Sequence, residues 1–507
     1  MKSDNPREIE LKFQLRPGSR KAIEASPIFA NADTKRSHLV TTYFDTPEGI
    51  LDRAGLTLRV RRIGKHHVQT VKSRANGRGV ASNRNEWEWE IEGTTPDLGR
   101  LARIPALAMA VRNINRGVRP VFVTDIRRTT RLLRLDSNTL VEVALDEGAI
   151  KADDARELVN ELELELKAGS AGPMYRLALQ LHALAPIWIS SDSKAARGWH
   201  LRTGQAEGAR FAQMPKVSRR IEAAAALREI LSGTLGHLTA NIGSTLRGDP
   251  EALHQMRIAI RETRATLQLF ERHLDASAVG RFSLELRRFG EVFGAARDWD
   301  VFCLETLSRA MADLSGERLE DLNLAGEVER QFAHAAMANA VRGRDFTALL
   351  LGVAVWAEAG LTDPSMLGDR HMGERLLILA PSLLKRVERK AKRRAKRAET
   401  CSAIGRHRLR KALKKLCFDV ESLSGLYRSH AVKNYRIRSE ALEGVLGAAN
   451  DAAVTQRLVS TLATVKRPDL AKPAAALRHW NKRRSQIALD ALDSAVKDFR
   501  AASVFWA

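Results

Sequence analysis

The chain has 507 residues, too many for one ordinary domain, and a 44% hydrophobic content allows more than one core. A formal charge of +23 points to a polyanionic partner: nucleic acid, an anionic membrane surface or polyphosphate. Aromatic residues at 5% argue against a protein that stacks single-stranded bases, and no apolar run reaches the ~18 residues that a membrane helix needs.

The N-terminal segment MKSDNPREIELKF has no apolar signal core. The three cysteines, Cys303, Cys401 and Cys417, show neither metal-ligand spacing nor a disulfide framework. A soluble cytoplasmic protein without membrane insertion is therefore expected.

Up to about Arg202 the chain reads as short alternating segments: IELKF, LTLRVRRI, HVQTVKS, EWEWEIE, LVEVALDE and ELELELK. Period-two alternation with Ile, Leu, Val and Trp at the apolar positions is a strand signal. The Gly-rich, polar stretch TGQAEGARFAQMP reads as a linker. Beyond about Val217, long Ala/Leu/Arg/Glu stretches at helical period replace the strands. Charge divides there too: 33 Lys+Arg against 25 Asp+Glu in residues 1–204 is a net +8, leaving +15 for the rest. The expected organisation is a domain at 1–204, a linker at 205–217 and a helical domain at 218–505.

Alternate residues of a strand share a face. Glu8, Glu10 and Lys12 therefore lie together, as do Arg59 and Arg61; Arg84, Glu86, Glu88 and Glu90; Glu142 and Asp146; and Glu161, Glu163 and Glu165. The opposite faces, such as Ile9/Leu11, Trp87/Trp89 and Leu162/Leu164, are apolar. One such strand fits a sandwich with a solvated face. Many together fit a closed barrel with charge inside and apolar faces under helices. Arg and Lys would surround a triphosphate there, and carboxylates would hold a hard cation such as Mg²⁺.

Glu8-Ile9-Glu10-Leu11-Lys12 matches the ExExK signature of the CYTH, or triphosphate tunnel, enzymes. Tyr43-Phe44-Asp45-Thr46-Pro47 resembles that family's Y-[FY]-D-T-P segment, and Leu56–Arg62 its L-x-L-R-x-R strand. The resemblance spans about the first 200 residues. It implies Glu8, Glu10 and Lys12 as the catalytic set, with Glu8, Glu10, Asp146, Glu161, Glu163 and Glu165 as carboxylates for Mg²⁺ or Mn²⁺. It implies Arg59, Arg61, Lys72, Arg84 and Arg128 as phosphate ligands, joined by Lys194 and Arg197 from a short plug helix. Glu86, Glu88 and Glu90 are either tunnel residues or salt-bridge partners, and Arg127 replaces Arg128 if the register slips by one.

The helical part contains a duplication. His254, Arg257, Arg261 and Arg264 recur as His407, Arg410 and Lys414, and Phe293-Gly-Ala-Ala-Arg297-Asp298 recurs as Leu446-Gly-Ala-Ala-Asn450-Asp451. The spacing from each His to the later Arg297 or Asn450 is 43 residues in both copies. Two homologous helical bundles follow, about 218–365 and 366–505. At roughly 100° per residue the four cations of the first copy fall in one stripe about 80° wide. The run KRVERKAKRRAKR at 385–397 reads as an exposed face or a secondary anion patch.

This half resembles the CHAD, or conserved histidine α-helical, domain over about 218–505. The resemblance implies inorganic polyphosphate as a partner, held by His254, Arg257, Arg261, Arg264, Arg297, His407, Arg410 and Lys414. The expected fold class is α+β multidomain, an antiparallel β tunnel with flanking helices followed by an all-α pair of bundles. The expected activity is metal-dependent hydrolysis of inorganic triphosphate or short polyphosphate, possible association with polyphosphate granules included. The alternatives are a non-catalytic polyphosphate-binding or granule-targeting protein, an adenylate cyclase, and, least supported, a nucleic-acid binder.

Overall fold

The structure is a computed structural model that describes residues 7–74, 79–112, 114, 117–205, 207–213, 215–314, 318–363, 370–397, 402–464 and 467–506. Cys401 lies outside the described residues. The chain forms two compact units that are not contiguous in sequence. The first comprises Met1–Phe211, Leu235–Gln255 and Val341–Glu358; the second comprises Ala212–Thr234, Met256–Ala340 and Ala359–Ala507.

The first unit is built on strands β1 (Arg7–Leu15), β2 (Thr34–Asp45), β3 (Leu56–Ile63), β4 (His66–Ser73), β5 (Ser82–Ile91), β6 (Arg119–Arg134), β7 (Leu140–Ala152), β8 (Ala155–Ala168) and β9 (Ile187–Ile189). They pair antiparallel in the order β5-β4-β3-β2-β6-β7-β8-β1-β9, and β5 also pairs with β1. That last pairing closes an eight-stranded ring, with β9 appended to β1. Closure removes both sheet edges and gives every strand an inner and an outer face.

Alternation assigns the faces. Opposite the charged positions, apolar residues point outward and are covered: Leu11, Leu162 and Leu164 are fully buried. Short helices do the covering: α1 (Ser19–Glu24), α2 (Ile50–Arg53), α3 (Leu98–Ala102), α4 (Pro105–Arg112) and α5 (Ala171–Leu184). Trp87 packs with Leu58, Val60, Val71, Leu101 and Leu107 in one outer cluster. Asp45, from the YFDTP segment, has a structural task. Its carboxylate accepts hydrogen bonds from the backbone N–H groups of Thr46 (2.7 Å), Leu51 (2.9 Å) and Asp52 (2.9 Å), which fastens α2 to the end of β2.

Helix α6 (Lys194–Thr203) packs on β6, β7 and β8. Ser193 caps it, its Oγ accepting from the N–H of Ala196 at 3.0 Å. Its close approach needs Gly198, where a methyl group would overlap the ring of Phe122. Ala195, Trp199 and Leu201 of α6 then join a cluster with Leu39, Tyr43, Phe122 and Ile150.

Segments from the helical half complete this unit. Arg247 pairs with Asp192; Thr347 Oγ1 accepts from the N–H of Ile189 at 3.3 Å; and the His182 ring is hydrogen-bonded to the carbonyl of Arg344 at 2.9 Å. They come from helices α7 (Ala223–Ala240), α8 (Ile242–Leu246), α9 (Pro250–Phe270), α12 (Leu319–Arg342) and α13 (Arg344–Thr362) and their flanks.

The second unit is built from helices, apart from connecting segments and one isolated antiparallel bridge between Glu222 and Arg375. Besides parts of α7, α9, α12 and α13 it holds α10 (Ala276–Asp300), a π-helical segment at Val301–Leu307, α11 (Ser308–Asp313), α14 (Leu376–Ala395), α15 (Ala403–Ser422), α16 (Ser429–Leu462), α17 (Ala471–Asp490) and α18 (Leu492–Arg500). The duplication is visible in it. His254 and His407 are each the fifth residue of their helices, α9 and α15, and a 3₁₀ turn follows each helix, at Glu271–His273 and Ser424–Leu426. One core cluster draws on both copies: Trp299, Phe302, Leu307 and Leu322 pack with Leu458, Leu462, Leu477 and Trp480. No described helix is long and apolar enough to cross a membrane.

Candidate active site

The barrel interior carries the charged faces of the strands. In the ring, β3 lies four strands from β8 and β4 four strands from β7, so Arg59, Arg61 and Lys72 face the acids of β7 and β8 across the lumen. Between them run buried ion pairs. Lys72 Nζ contacts Glu8 at 2.8 Å and Glu86 at 2.9 Å. Arg84 reaches Glu8 at 2.7 Å and Glu10 at 2.9 Å. Burial pushes the Glu8 carboxyl up, but Lys72 and Arg84 outweigh it and hold Glu8 well below the usual carboxylate range. Glu10 goes the other way: burial, with the like charges of Glu163 and Glu8, raises it against Lys12 and Arg84.

Two cations in the lumen keep capacity for an anion. Burial pushes Arg59 down, but the Tyr43 hydroxyl bonded to it, Glu86 at 3.6 Å and Glu88 outweigh that and raise it, while its Nε lacks a hydrogen-bond acceptor. Arg61 donates to Thr41 Oγ1 at 3.3 Å and has no ion pair among the described residues. Burial and the like charges of Arg59 and Arg128 push it down to about 10. A buried cation without an ion pair and a buried donor without an acceptor make a place for an anion.

On the facing wall, Asp146, Glu161 and Glu163 each offer a carboxylate oxygen, and the three oxygens lie within 4.8 Å of one another. All three residues are buried. Register explains the grouping: Asp146 on β7 pairs with Glu161 on β8, and Ala144, two residues from Asp146 on the same face, pairs with Glu163. An all-oxygen, triply anionic set fits a hard divalent cation. Lys194 Nζ lies among them, 2.7 Å from Asp146, 2.5 Å from Glu161 and 2.7 Å from Glu163. A positive charge thus already sits where a divalent cation would. Arg128 adds a fork onto Asp146 (2.6 Å) and Glu163 (2.5 Å).

In the helical unit the stripes of the two copies converge. Arg257 on α9 is pushed down by burial and by Arg261, Arg297 and Arg410, which are close enough to repel it. Lys414 on α15 is pushed down to about 8 by burial, Arg261 and Arg410. The Nε atoms of Arg261, Arg297 and Arg410 are buried without an acceptor. Few acids answer them: Asp298 lies 3.6 Å from Arg257, Glu305 2.8 Å from Arg297, and Glu443 3.6 Å from Lys414.

Comparison with known proteins agrees with both halves. The CYTH domain model matches residues 6–198 and the CHAD domain model residues 229–460. The chain joins a CYTH domain to a CHAD domain. An inorganic triphosphatase from Haemophilus influenzae is 28% identical over 201 residues, which are 39% of this chain and 56% of that protein. The match therefore spans little more than half of the relative's length. The crystal structure of the CHAD domain from the plant Ricinus communis is 27% identical, with a TM-score of 0.51, over 59% of this chain and 99% of that one. A Hippeastrum protein described as an adenylyl cyclase with a dominant triphosphatase activity covers 38% of this chain and 96% of its own at 20% identity, and its TM-score of 0.30 is too low to carry weight.

Within the CYTH barrel the expected residues separate into groups. Glu8, Glu10, Lys72 and Arg84 form one network, and Asp146, Glu161, Glu163, Arg128 and Lys194 another. Lys12 bridges the two, 3.8 Å from Glu10 and 3.3 Å from Glu163. Arg128 faces the lumen and Arg127 is exposed, so the register does not slip. Glu165 stands outside the trio, bonded to Lys167 at 2.6 Å. Arg197 is spent on its neighbours: it donates to Glu157 (2.7 Å), Glu161 and the carbonyl of Leu158 (2.6 Å), and so anchors α6. Sequence reasoning left Gln14 and Tyr43 out of the site and kept Glu86 open between tunnel residue and salt-bridge partner. Glu86 balances Lys72; Gln14 donates to Glu161 at 3.0 Å; and Tyr43 stacks on Phe122 at 4.5 Å with its hydroxyl at Arg59. Gln14 was findable, since it continues the Glu8-Glu10-Lys12 alternation.

In the CHAD helices Arg257, Arg261, Arg297, Arg410 and Lys414 come together. His407 is hydrogen-bonded to Asn450 Oδ1 at 2.8 Å, the residue that replaces Arg297 in the second copy. His254 stands one turn before Arg257 on the same helix. Arg264 is pushed down by burial and Arg287, a neighbour outside the converging set. Asp298, which also holds Arg457 at 2.9 Å, was not anticipated as a counter-charge.

Proposed function

We propose that the CYTH barrel hydrolyses inorganic triphosphate or short polyphosphate with a divalent metal, and that the CHAD helices bind inorganic polyphosphate. The carrying observation is the division of the lumen: on one wall Arg61 has no ion pair among the described residues and Arg59 has a buried Nε without an acceptor, and on the other Asp146, Glu161 and Glu163 form a compact acidic trio. An anion bearing several charges and accompanied by a cation satisfies both walls at once.

Arg59, Arg61, Lys72 and Arg84 would bind the phosphoryl oxygens and hold the chain of phosphates in line. Asp146, Glu161 and Glu163, helped by Glu10, would hold Mg²⁺ or Mn²⁺. The bound ion supplies charge neutralisation and polarises a phosphoryl oxygen. Transfer to water then needs positioning and electrostatic stabilisation more than covalent chemistry. The CHAD helices would hold a longer polyphosphate through the orphaned donors of Arg261, Arg297 and Arg410, and granule association is an extension of that binding.

A second reading has its own observation. Lys194 and Arg128 already satisfy the trio without a metal, as suits a barrel that binds triphosphate without turning it over. Phosphate release from inorganic triphosphate with Mg²⁺ or Mn²⁺ decides, comparing wild type with Glu10→Ala and using ATP as a second substrate. Release lost in the variant supports the hydrolase. Binding without release supports the second reading, and cyclic AMP from ATP would overturn both in favour of a cyclase.

A further inference from the structure

Lys194 was expected to meet phosphate, yet all three N–H donors of its ammonium are engaged by carboxylates, one each on Asp146, Glu161 and Glu163. Lys72 also touches carboxylates, but two of its contacts share the Glu8 carboxylate; Lys194, engaged by three separate acids, has no donor left for a phosphate oxygen. A metal ion, for its part, cannot enter the trio while the ammonium fills it. The two events exclude each other until Lys194 leaves.

We propose that Lys194 is a built-in competitor of the metal: it occupies the carboxylate trio in the metal-free protein, and metal loading releases it into the tunnel as a phosphate ligand. This rests on the reading of the trio as the metal site. It adds an order of events, in which the cationic wall gains its last member only once metal is in place.

Three observations single out Lys194. It is the one cation among the described residues that contacts all three acids. Lys12 reaches only Glu163 of the trio, and Arg128 reaches Asp146 and Glu163 from a strand paired to β7, with two donors pinned on Asp146. Second, Lys194 is the first residue of α6, where no preceding turn of the helix restricts its side-chain rotamers. Third, the helix is held independently. Arg197 is fixed outside the trio by Glu157 and the Leu158 carbonyl, in addition to its bond to Glu161; Ser193 caps the first turn, and Trp199 packs in the cluster that contains Phe122. The plug stays while its leading lysine moves.

The test is Mn²⁺ binding to the full chain by titration calorimetry at pH 8, without triphosphate, for wild type, Lys194→Gln and Lys12→Gln. Removal of a competitor raises apparent affinity by the factor that the competitor withheld, here about tenfold or more for Lys194→Gln. Lys12→Gln gains less, since it touches one acid of the three. Amine-reactive labelling of wild type read by mass spectrometry is the second arm, and it does not depend on the variant folding: labelling at Lys194 rises when Mn²⁺ saturates the protein. Equal Mn²⁺ affinity in wild type and Lys194→Gln, or labelling unchanged at saturation, overturns this inference and leaves the hydrolase reading standing if phosphate release persists. Absence of Mn²⁺ binding in every protein overturns the metal reading and this inference together.

Discussion

Lys72 on β4 and Glu8 on β1 meet at 2.8 Å although β5 lies between their strands. The contact runs across the inner surface of the barrel, and Arg84 on the intervening strand joins it by bonding Glu8 at 2.7 Å. Glu8 is therefore the counter-charge of two buried cations. Glu8→Gln leaves them to Glu86 and Glu10 alone. Stranding a buried partner outright costs about 3–5 kcal/mol; with the second acids still present, about 1–3 kcal/mol is expected. Tripolyphosphate without metal should then raise the melting temperature of the variant more than that of wild type, because the ligand replaces the missing charge. Equal shifts in paired thermal melts would remove Lys72 and Arg84 from the anion site.

Gly198 sits where α6 touches Phe122, and any Cβ overlaps the ring. Gly198→Ala should lift the plug helix, which carries Lys194 and Arg197 away from the acids they bind. Overpacking of this kind costs about 1–3 kcal/mol. Phosphate release should fall with it. The double variant Gly198→Ala/Phe122→Leu makes room for the methyl group and should recover much of both; chemical denaturation and phosphate release on wild type and the two variants check this.

Much of this arrangement is legible in the alternation of the strands. Alternation puts Glu8, Glu10 and Lys12 on one face, and the same rule places Arg59 with Arg61 and Glu161 with Glu163. What alternation cannot report is which strands close on each other. The β1–β5 pairing that brings Arg84 to Glu8 is long-range, and so is the reach of Lys194 from α6 into the trio. The family resemblance implies Arg197 as a phosphate ligand; its three acceptors come from β8, at no fixed sequence offset. In the helices, the spacing of Arg257, Arg261 and Arg264 announces a stripe, and the matched offset announces its copy. The acids Asp298 and Glu443 that temper the stripe sit on other helices and carry no periodic mark. Helical period also reports an apolar face without saying what covers it. Residues 235–255 and 341–358, which read as part of the helical half, pack in the unit that holds the barrel.

The orphaned Nε atoms of Arg261 and Arg410 predict how polyphosphate binding depends on salt. Each contact neutralised releases counterions, so Arg261→Gln and Arg410→Gln should each lower the slope of log K against log salt by about one, by analogy with nucleic-acid phosphates. Arg467→Gln is the control, since that side chain is exposed and paired with Asp469 at 2.8 Å. Anisotropy of labelled polyphosphate over a salt series makes the comparison. Slopes unchanged in the first two variants would place the polymer elsewhere on the surface.

Lys414 predicts the pH dependence of the same binding. Burial, with Arg261, Arg410 and Arg257 around it and Glu443 in partial compensation, lowers its pKa from 10.5 to about 8. Between those two values the unfolded chain holds a proton that the folded chain has lost, so stability rises with pH across that interval. Below pH 8 the charged amine is a cost to the fold. Polyphosphate supplies the missing counter-charge and draws the pKa back up, so binding takes up a proton near pH 8–9 and affinity falls as pH rises through about 8. Lys414→Met should melt higher than wild type at pH 7 without polyanion, bind polyphosphate more weakly there, and lose part of the pH dependence. Lys415, lowered to about 8 by burial against the pull of Asp419, donates to Gln268 and is the same in both proteins. Titrations at pH 7 and pH 9 at one ionic strength check this; identical pH profiles for wild type and variant would show that Lys414 does not face the polymer.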